Sequence, residues 1–96
     1  MSWSLVNSWS GGFQLGFTVT NNGTSPTKGW NVAWSWPGAQ TVTQIWNASE
    51  TQSRAAVSAA NLSYNGAINA GGSTTFGLLG SGNAPTALSG LRCAAQ

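Results

Sequence analysis

Large apolar residues alternate with small polar ones along most of this chain, and turn residues interrupt the alternation every eight to twelve positions. The stretch from Phe13 to Val19 is the clearest case, since its odd positions are all apolar and predict one buried face. A two-residue period with frequent turns is typical of an all-β sandwich. No segment has convincing helical periodicity. The 96 residues therefore predict a single domain, residues 1–96, folded as an antiparallel β-sandwich of the jelly-roll or immunoglobulin-like type.

The same alternation, cut by Gly, Asn and Pro turns, predicts the remaining strands. They are expected around Trp3 and Leu5, over 30–36, 41–46, 55–62 and 73–79, and over 87–93. In the 41–46 strand, Val42, Gln44 and Trp46 are predicted to share one face. Glu50 is interpreted as a solvated loop residue.

Charged residues make up only 4% of the chain, against about 25% in an average globular protein. General acid–base catalysis and metal binding depend on His, Cys, Asp and Glu, but the chain has no His or Asp, one Glu and one Cys. Glycoside hydrolysis ordinarily needs two carboxylic acids. This inventory excludes catalytic residues, a metal site and a cofactor. The three scattered cations do not suit nucleic acid, and no apolar run is long enough for a membrane span.

The ten aromatic residues divide into two groups. Inward alternation places most of them in the core, but three lie in polar turn contexts or beside Gln and Asn. Exposed rings could cap the ends of a sandwich, yet three of them in a nearly uncharged chain favour a binding face. A pyranose ring stacks its C–H face on an aromatic ring, while Asn, Gln, Ser and Thr bind its hydroxyls. The three residues predicted to form this face are Trp9, Trp46 and Tyr64.

These observations predict a non-catalytic domain that binds a neutral, insoluble polysaccharide. The alternative is a structural or adhesion sandwich whose aromatic face contacts protein.

Several short motifs, taken in order, resemble the family 2 carbohydrate-binding modules of bacterial polysaccharide-degrading enzymes. The resemblance covers nearly the whole chain and implies a secreted accessory domain that targets an attached enzyme to cellulose or chitin. It also implies that Asn7, Gln44 and Asn65 assist the three platform aromatics. The motifs are 7–13, 19–21, 29–30, 43–47, 64–68, 71–72, 76–77 and the terminal cysteine.

Four positions refine this resemblance. The xylan-binding branch of the family has an Arg where this chain has Gly12, so a flat Trp9 and binding to crystalline cellulose or chitin are implied. Leu79 stands where a ligand-binding Asn is expected, and Tyr64 where a Trp is usual. Most members close the sandwich with a disulfide whose partner would precede residue 1. Cys93 is therefore expected to remain a free thiol in a monomer or to form a disulfide dimer.

Overall fold

The computed structural model describes residues 2–95, which form eight β-strands. Within that range no helix is long and apolar enough to cross a membrane. The strands are β1 (Ser2–Trp9), β2 (Gly12–Thr20), β3 (Trp30–Ser35), β4 (Thr41–Trp46), β5 (Ser49–Ser53), β6 (Ala56–Ala60), β7 (Ser73–Ser81) and β8 (Ser89–Ala95).

The strands form two four-stranded antiparallel sheets. The first sheet has the order β1-β2-β7-β4 and the second has the order β5-β6-β3-β8. Both central pairs, β2 with β7 and β3 with β6, contain the strands with the strongest apolar alternation. The predicted all-β sandwich is therefore confirmed.

The core between the sheets is a stack of aromatic rings. Phe17 lies between Trp34 and Phe76, with ring centroids 4.8 and 4.7 Å away, and Trp30 continues the stack 5.4 Å beyond Phe76. Offset aromatic stacking adds stability beyond the area that the rings bury. All four rings are at most 3% exposed, as inward alternation predicted. Trp3 is partly buried and packs against the edge of this core.

Strand β5 is absent from the sequence prediction, and the interpretation of Glu50 as a loop residue is wrong. Glu50 lies within β5, is half-buried and pairs with Ala59. The inward positions of β5 are polar, so hydrophobic alternation gives no signal there. Gln52 explains how such a strand is held. Its amide donates to the carbonyl oxygen of Gln40 at 3.0 Å and accepts from the backbone N–H of Val42 at 3.0 Å.

Candidate functional site

The outer side of the first sheet, here named the platform face, is uncharged. The strands that build it contain no charged residue. Phe13, Leu15 and Leu78 point into the core, so the alternate positions of β2 and β7 point outward. Three of those outward positions are glycines, so no side chain of β2 or β7 rises above the sheet there. The outward glycines are Gly12, Gly16 and Gly77.

A β-bulge in β1 brings Trp9 onto the platform face. Leu5 and Asn7 occupy successive pairing positions opposite β2, which leaves Val6 as the extra residue. A bulge reverses the side to which all later residues of a strand point. Regular alternation would put Trp9 on the same side as Trp3, which packs against the core. Instead Trp9 points outward and is 48% exposed.

A second bulge, in β4, does the same for Trp46. The register shifts between Val42 and Gln44, so Thr43 is the extra residue, and its hydroxyl donates to a carbonyl oxygen of β7 at 3.1 Å. Gln44 and Trp46 point outward together, as predicted. The prediction that Val42 lies with them is wrong, because Val42 and Ile45 both pack against the core on the other side of the bulge.

Each of the two indoles lies over a glycine of the neighbouring strand. Trp9 pairs with Gly12 and Trp46 pairs with Gly77. A Cβ atom added to either glycine would overlap the indole of its partner. Each indole thus packs directly against glycine backbone while its side chain stays partly exposed. The flat orientation of Trp9 over Gly12 stays a prediction of the resemblance.

The two indoles lie on a diagonal of the platform face. Gly12 pairs with Ser81, which is four residues along β7 from Gly77. With about 4.8 Å between strands and about 3.4 Å per residue, the two glycines that carry the rings are about 14 Å apart. The diagonal continues towards the end of β4, where Asn47 follows Trp46.

Tyr64 extends the line beyond β4. It lies in the loop between β6 and β7, is 69% exposed, and its hydroxyl donates to Oδ1 of Asn47 at 2.7 Å. Asn47 has a left-handed backbone (φ 61°), a conformation that Asn tolerates better than most residues. The tyrosine is therefore tied to the residue that directly follows Trp46, and it lies next to the end of β4. We name Trp9, Trp46 and Tyr64 the aromatic platform.

Asn65 holds the Tyr64 loop in place. Its side chain is buried, donates to the carbonyl oxygen of Asn47 at 2.6 Å, and accepts from the backbone N–H of Leu62 at 2.7 Å. Its own carbonyl oxygen accepts from the indole N–H of Trp30 at 2.8 Å. The sequence placed Asn65 among the residues that touch a ligand. Its position, by contrast, suits a residue that fixes the phenol ring.

Asn7 and Gln44 lie in one row across the middle of the platform face, between the two indoles. Across the four strands, the paired residues of this row are, in order, Asn7, Gln14, Leu79 and Gln44. Both Asn7 and Gln44 are exposed, so their amides are available to hydroxyl groups above the sheet. Leu79 is partly buried in the same row, where it offers apolar surface in place of a hydrogen bond.

Electrostatics contributes little to this face. Among residues 2–95 no three side chains of the His, Cys, Asp and Glu types lie close enough to hold a metal ion. Burial raises the pKa of the Cys93 thiol, but Cys93 belongs to β8 of the other sheet. Contact through this face therefore depends on ring surface and neutral polar groups.

An all-β sandwich that exposes a line of aromatic rings on an uncharged sheet face is a binding domain. Comparison with known sequences agrees, since the family described as "Cellulose binding domain" matches residues 1–93. The chain belongs to this family. It is therefore a binding domain and not the catalytic part of an enzyme.

One similar protein is much longer than this chain. The chain is 47% identical over 95 residues to endoglucanase A of Thermobispora bispora, a match that covers 99% of this chain and 21% of the endoglucanase. It thus spans about a fifth of that enzyme's length.

Two solved structures are similar over nearly the whole chain. The chitin-binding domain of Chi18aC from Streptomyces coelicolor has a TM-score of 0.80 and 34% identity, covering 96% of this chain and 86% of that one. The cellulose-binding family 2 carbohydrate-binding domain of ScLPMO10C has a TM-score of 0.77 and 39% identity, covering 98% and 92%.

Proposed function

We propose that this domain binds insoluble polysaccharide, with crystalline cellulose preferred and chitin second, through the aromatic platform. The observation that carries the proposal is the pair of exposed indoles packed over Gly12 and Gly77 on one uncharged face. A ring that lies parallel to the sheet presents its free side to the flat face of a pyranose. A series of such rings suits an extended polymer better than a single enclosed sugar.

The exposed areas support a weak contact at each ring. A large aromatic side chain buries about 150–250 Å² in full, and the platform rings expose 48%, 36% and 69% of their surfaces. Covering about 50–90 Å² of each at about 25 cal/mol per Å² contributes about 1–2 kcal/mol per ring. Part of that gain is offset by the cost of association. Each ring alone is therefore a weak contact, and binding depends on several rings and the neighbouring polar groups acting together.

The polar residues then have distinct roles. Asn7 and Gln44 hydrogen-bond to sugar hydroxyls between the two indoles, whereas Asn65 positions Tyr64 from below. Leu79 replaces a hydrogen bond with apolar contact.

In the parent protein, residues 1–96 act as one module that holds an attached, secreted polysaccharide-degrading enzyme against its substrate. The relatives support this arrangement, because the endoglucanase of Thermobispora bispora is mostly composed of sequence outside the matched region. On its own the module acts as a monomer that needs no cofactor.

Retention on microcrystalline cellulose and on α-chitin tests the proposal. The triple variant Trp9→Ala, Trp46→Ala and Tyr64→Ala is expected to lose retention on both solids. The matched control substitutes Ser35, Thr51 and Arg92 by Ala, because these three positions belong to the second sheet. It should be retained like the original chain, and thermal melts should show that both variants fold.

Unchanged retention of the triple variant would refute the aromatic platform. If the original chain were retained on neither solid, the aromatic face would instead fit the alternative of a protein-contacting sandwich.

A further inference from the structure

A trough runs beside the aromatic platform, and none of the platform rings fills it. Gly16 and Gly77 are directly paired on β2 and β7, and both face outward. Because neither has a side chain, the outer face is lower here than around it, and an open depression of about 310 Å³ lies between the side chains of Trp46 and Val6. That volume is at the lower end of the range for small-molecule sites.

The walls of the trough are apolar and close together. Trp46 lies over Gly77 on one side, and Val6 leans over Gly16 on the other, with a methyl group 3.3 Å from where a Cβ of Gly16 would stand. Val6 is the bulge residue of β1 and is 56% exposed. The two glycines that form the floor are about one strand spacing, or about 5 Å, apart. A floor of this size suits one substituent of a sugar and not a whole pyranose ring laid flat.

The end of the trough is polar and uncharged. Thr18 and Thr75 pair across β2 and β7 one row beyond the two glycines, and both line the depression. Their hydroxyls can donate and accept hydrogen bonds. An apolar slot that ends in hydroxyl groups matches a small planar group with a methyl at one end and an amide at the other.

We propose that this trough receives the acetamido group of an N-acetylated sugar whose ring is stacked on Trp46. The inference rests on the proposed function. The equatorial substituents of a pyranose lying on the indole project sideways, and on one side they project over the trough. The acetamido methyl contacts Val6 and the glycine floor, and its amide bonds to the threonine hydroxyls. Cellulose has a hydroxyl group at the same carbon and leaves the slot to water, so chitin gains a contact that cellulose lacks.

Filling the trough separates the two polymers. Gly16→Ala and Gly16→Val add one and three carbon atoms to the floor, and both residues suit a strand better than Gly. The Cβ would approach only the exposed side chains of Val6 and Ser4. Ala33→Val is the matched control, because Ala33 faces outward on the second sheet. Thermal melts should show that all three variants keep the fold.

Binding is measured by depletion isotherms on α-chitin and microcrystalline cellulose. The Kd on chitin is expected to rise in steps, reaching about tenfold for Gly16→Val, which corresponds to 1.4 kcal/mol. The Kd on cellulose should stay within about twofold, and the control should match the original chain on both solids. As a second measurement, titration with the soluble N-acetylglucosamine hexamer should show weaker binding by Gly16→Val than by the original chain, whereas the glucose hexamer should bind both equally.

Equal weakening on both solids, or no weakening on chitin, would overturn the acetamido assignment while leaving the platform intact. So would an unchanged affinity of Gly16→Val for the N-acetylglucosamine hexamer. Failure of the proposed function is a different result, because retention would then survive removal of all three platform rings.

Discussion

Replacing Gly77 by alanine should disable Trp46 without touching the tryptophan itself. The added Cβ would overlap the indole, with Cε2 and Nε1 only 2.6 and 2.7 Å away, closer than real Cβ contacts allow. Alanine is at least as compatible with a strand as glycine, so β7 should keep its pairing with β2 and β4. The ring must therefore tilt away from the sheet, and a tilted ring no longer presents a flat side to the polymer.

The size of the effect follows from the exposed area of Trp46. The side chain is 36% exposed, which for an indole of about 250 Å² is about 90 Å² of free surface. Covering that surface contributes about 2.2 kcal/mol to binding, or about 40-fold in Kd. If a tilted ring keeps half of this contact, Gly77→Ala costs about 1 kcal/mol and raises the Kd on cellulose about sixfold.

A double-mutant cycle tests the reasoning. Depletion isotherms on microcrystalline cellulose should be measured for the original chain, Gly77→Ala, Trp46→Ala and the double variant. Because the alanine acts only through the ring, it should have no effect once the ring is gone. Two results would refute the argument: an unchanged Kd for Gly77→Ala alone, or a further loss of affinity in the Trp46→Ala background.

Three further predictions concern the bulge, the loop and the thiol. Deleting Thr43 removes the bulge of β4, so Trp46 can face outward only if Val42 turns away from the core. We therefore expect either a lower melting temperature or lost retention on cellulose. A variant with an unchanged melting temperature and unchanged retention would contradict the bulge's role. Asn65→Ala removes two hydrogen bonds to partly buried backbone groups, at about 1 kcal/mol for each, and should lower the melting temperature by about 4–8 °C per kcal/mol. An unchanged melt would show that the loop does not depend on this amide. The raised pKa of Cys93 lowers its thiolate fraction, so a disulfide reagent at about pH 8 should modify Cys93 more slowly than it modifies free cysteine. Any disulfide dimer on a non-reducing gel should be absent from the Cys93→Ser variant.

Much of the fold could be predicted because the central strands bury aromatic and aliphatic residues at strict two-residue intervals. Phe13 to Val19 and the strand that begins at Trp30 are buried at the expected positions. The edge strand β5 could not be found in this way, since Glu50 and Gln52 occupy its inward positions and hydrogen bonds replace apolar contact there.

The platform residues were predicted for a different reason. Trp9, Trp46 and Tyr64 stood out because their neighbours are polar, not because their side of the strand could be read. Simple alternation would place Trp9 with Trp3, and Trp46 with Val42, facing the core. A bulge depends on which residue the partner strand leaves unpaired, and that is a property of two strands at once. The hydrogen bonds by which Asn65 holds its loop could not be predicted for a similar reason, because its partners, Leu62 and Asn47, include one in a different loop.

The pairing of each tryptophan with a glycine resolves a conflict between stability and binding. An exposed indole forgoes the free energy of burial, and a glycine inside a strand weakens that strand. When the ring lies on the glycine, one face of the indole is covered and the bare backbone gains a packing partner. Trp46→Ala should therefore lower the melting temperature as well as the affinity, whereas Tyr64→Ala, which lies over no strand, should lower mainly the affinity. The bulges at Val6 and Thr43 turn the two indoles outward on β1 and β4, the edge strands of the first sheet. They also interrupt the regular hydrogen-bonding edge of each strand, which could otherwise pair with another chain.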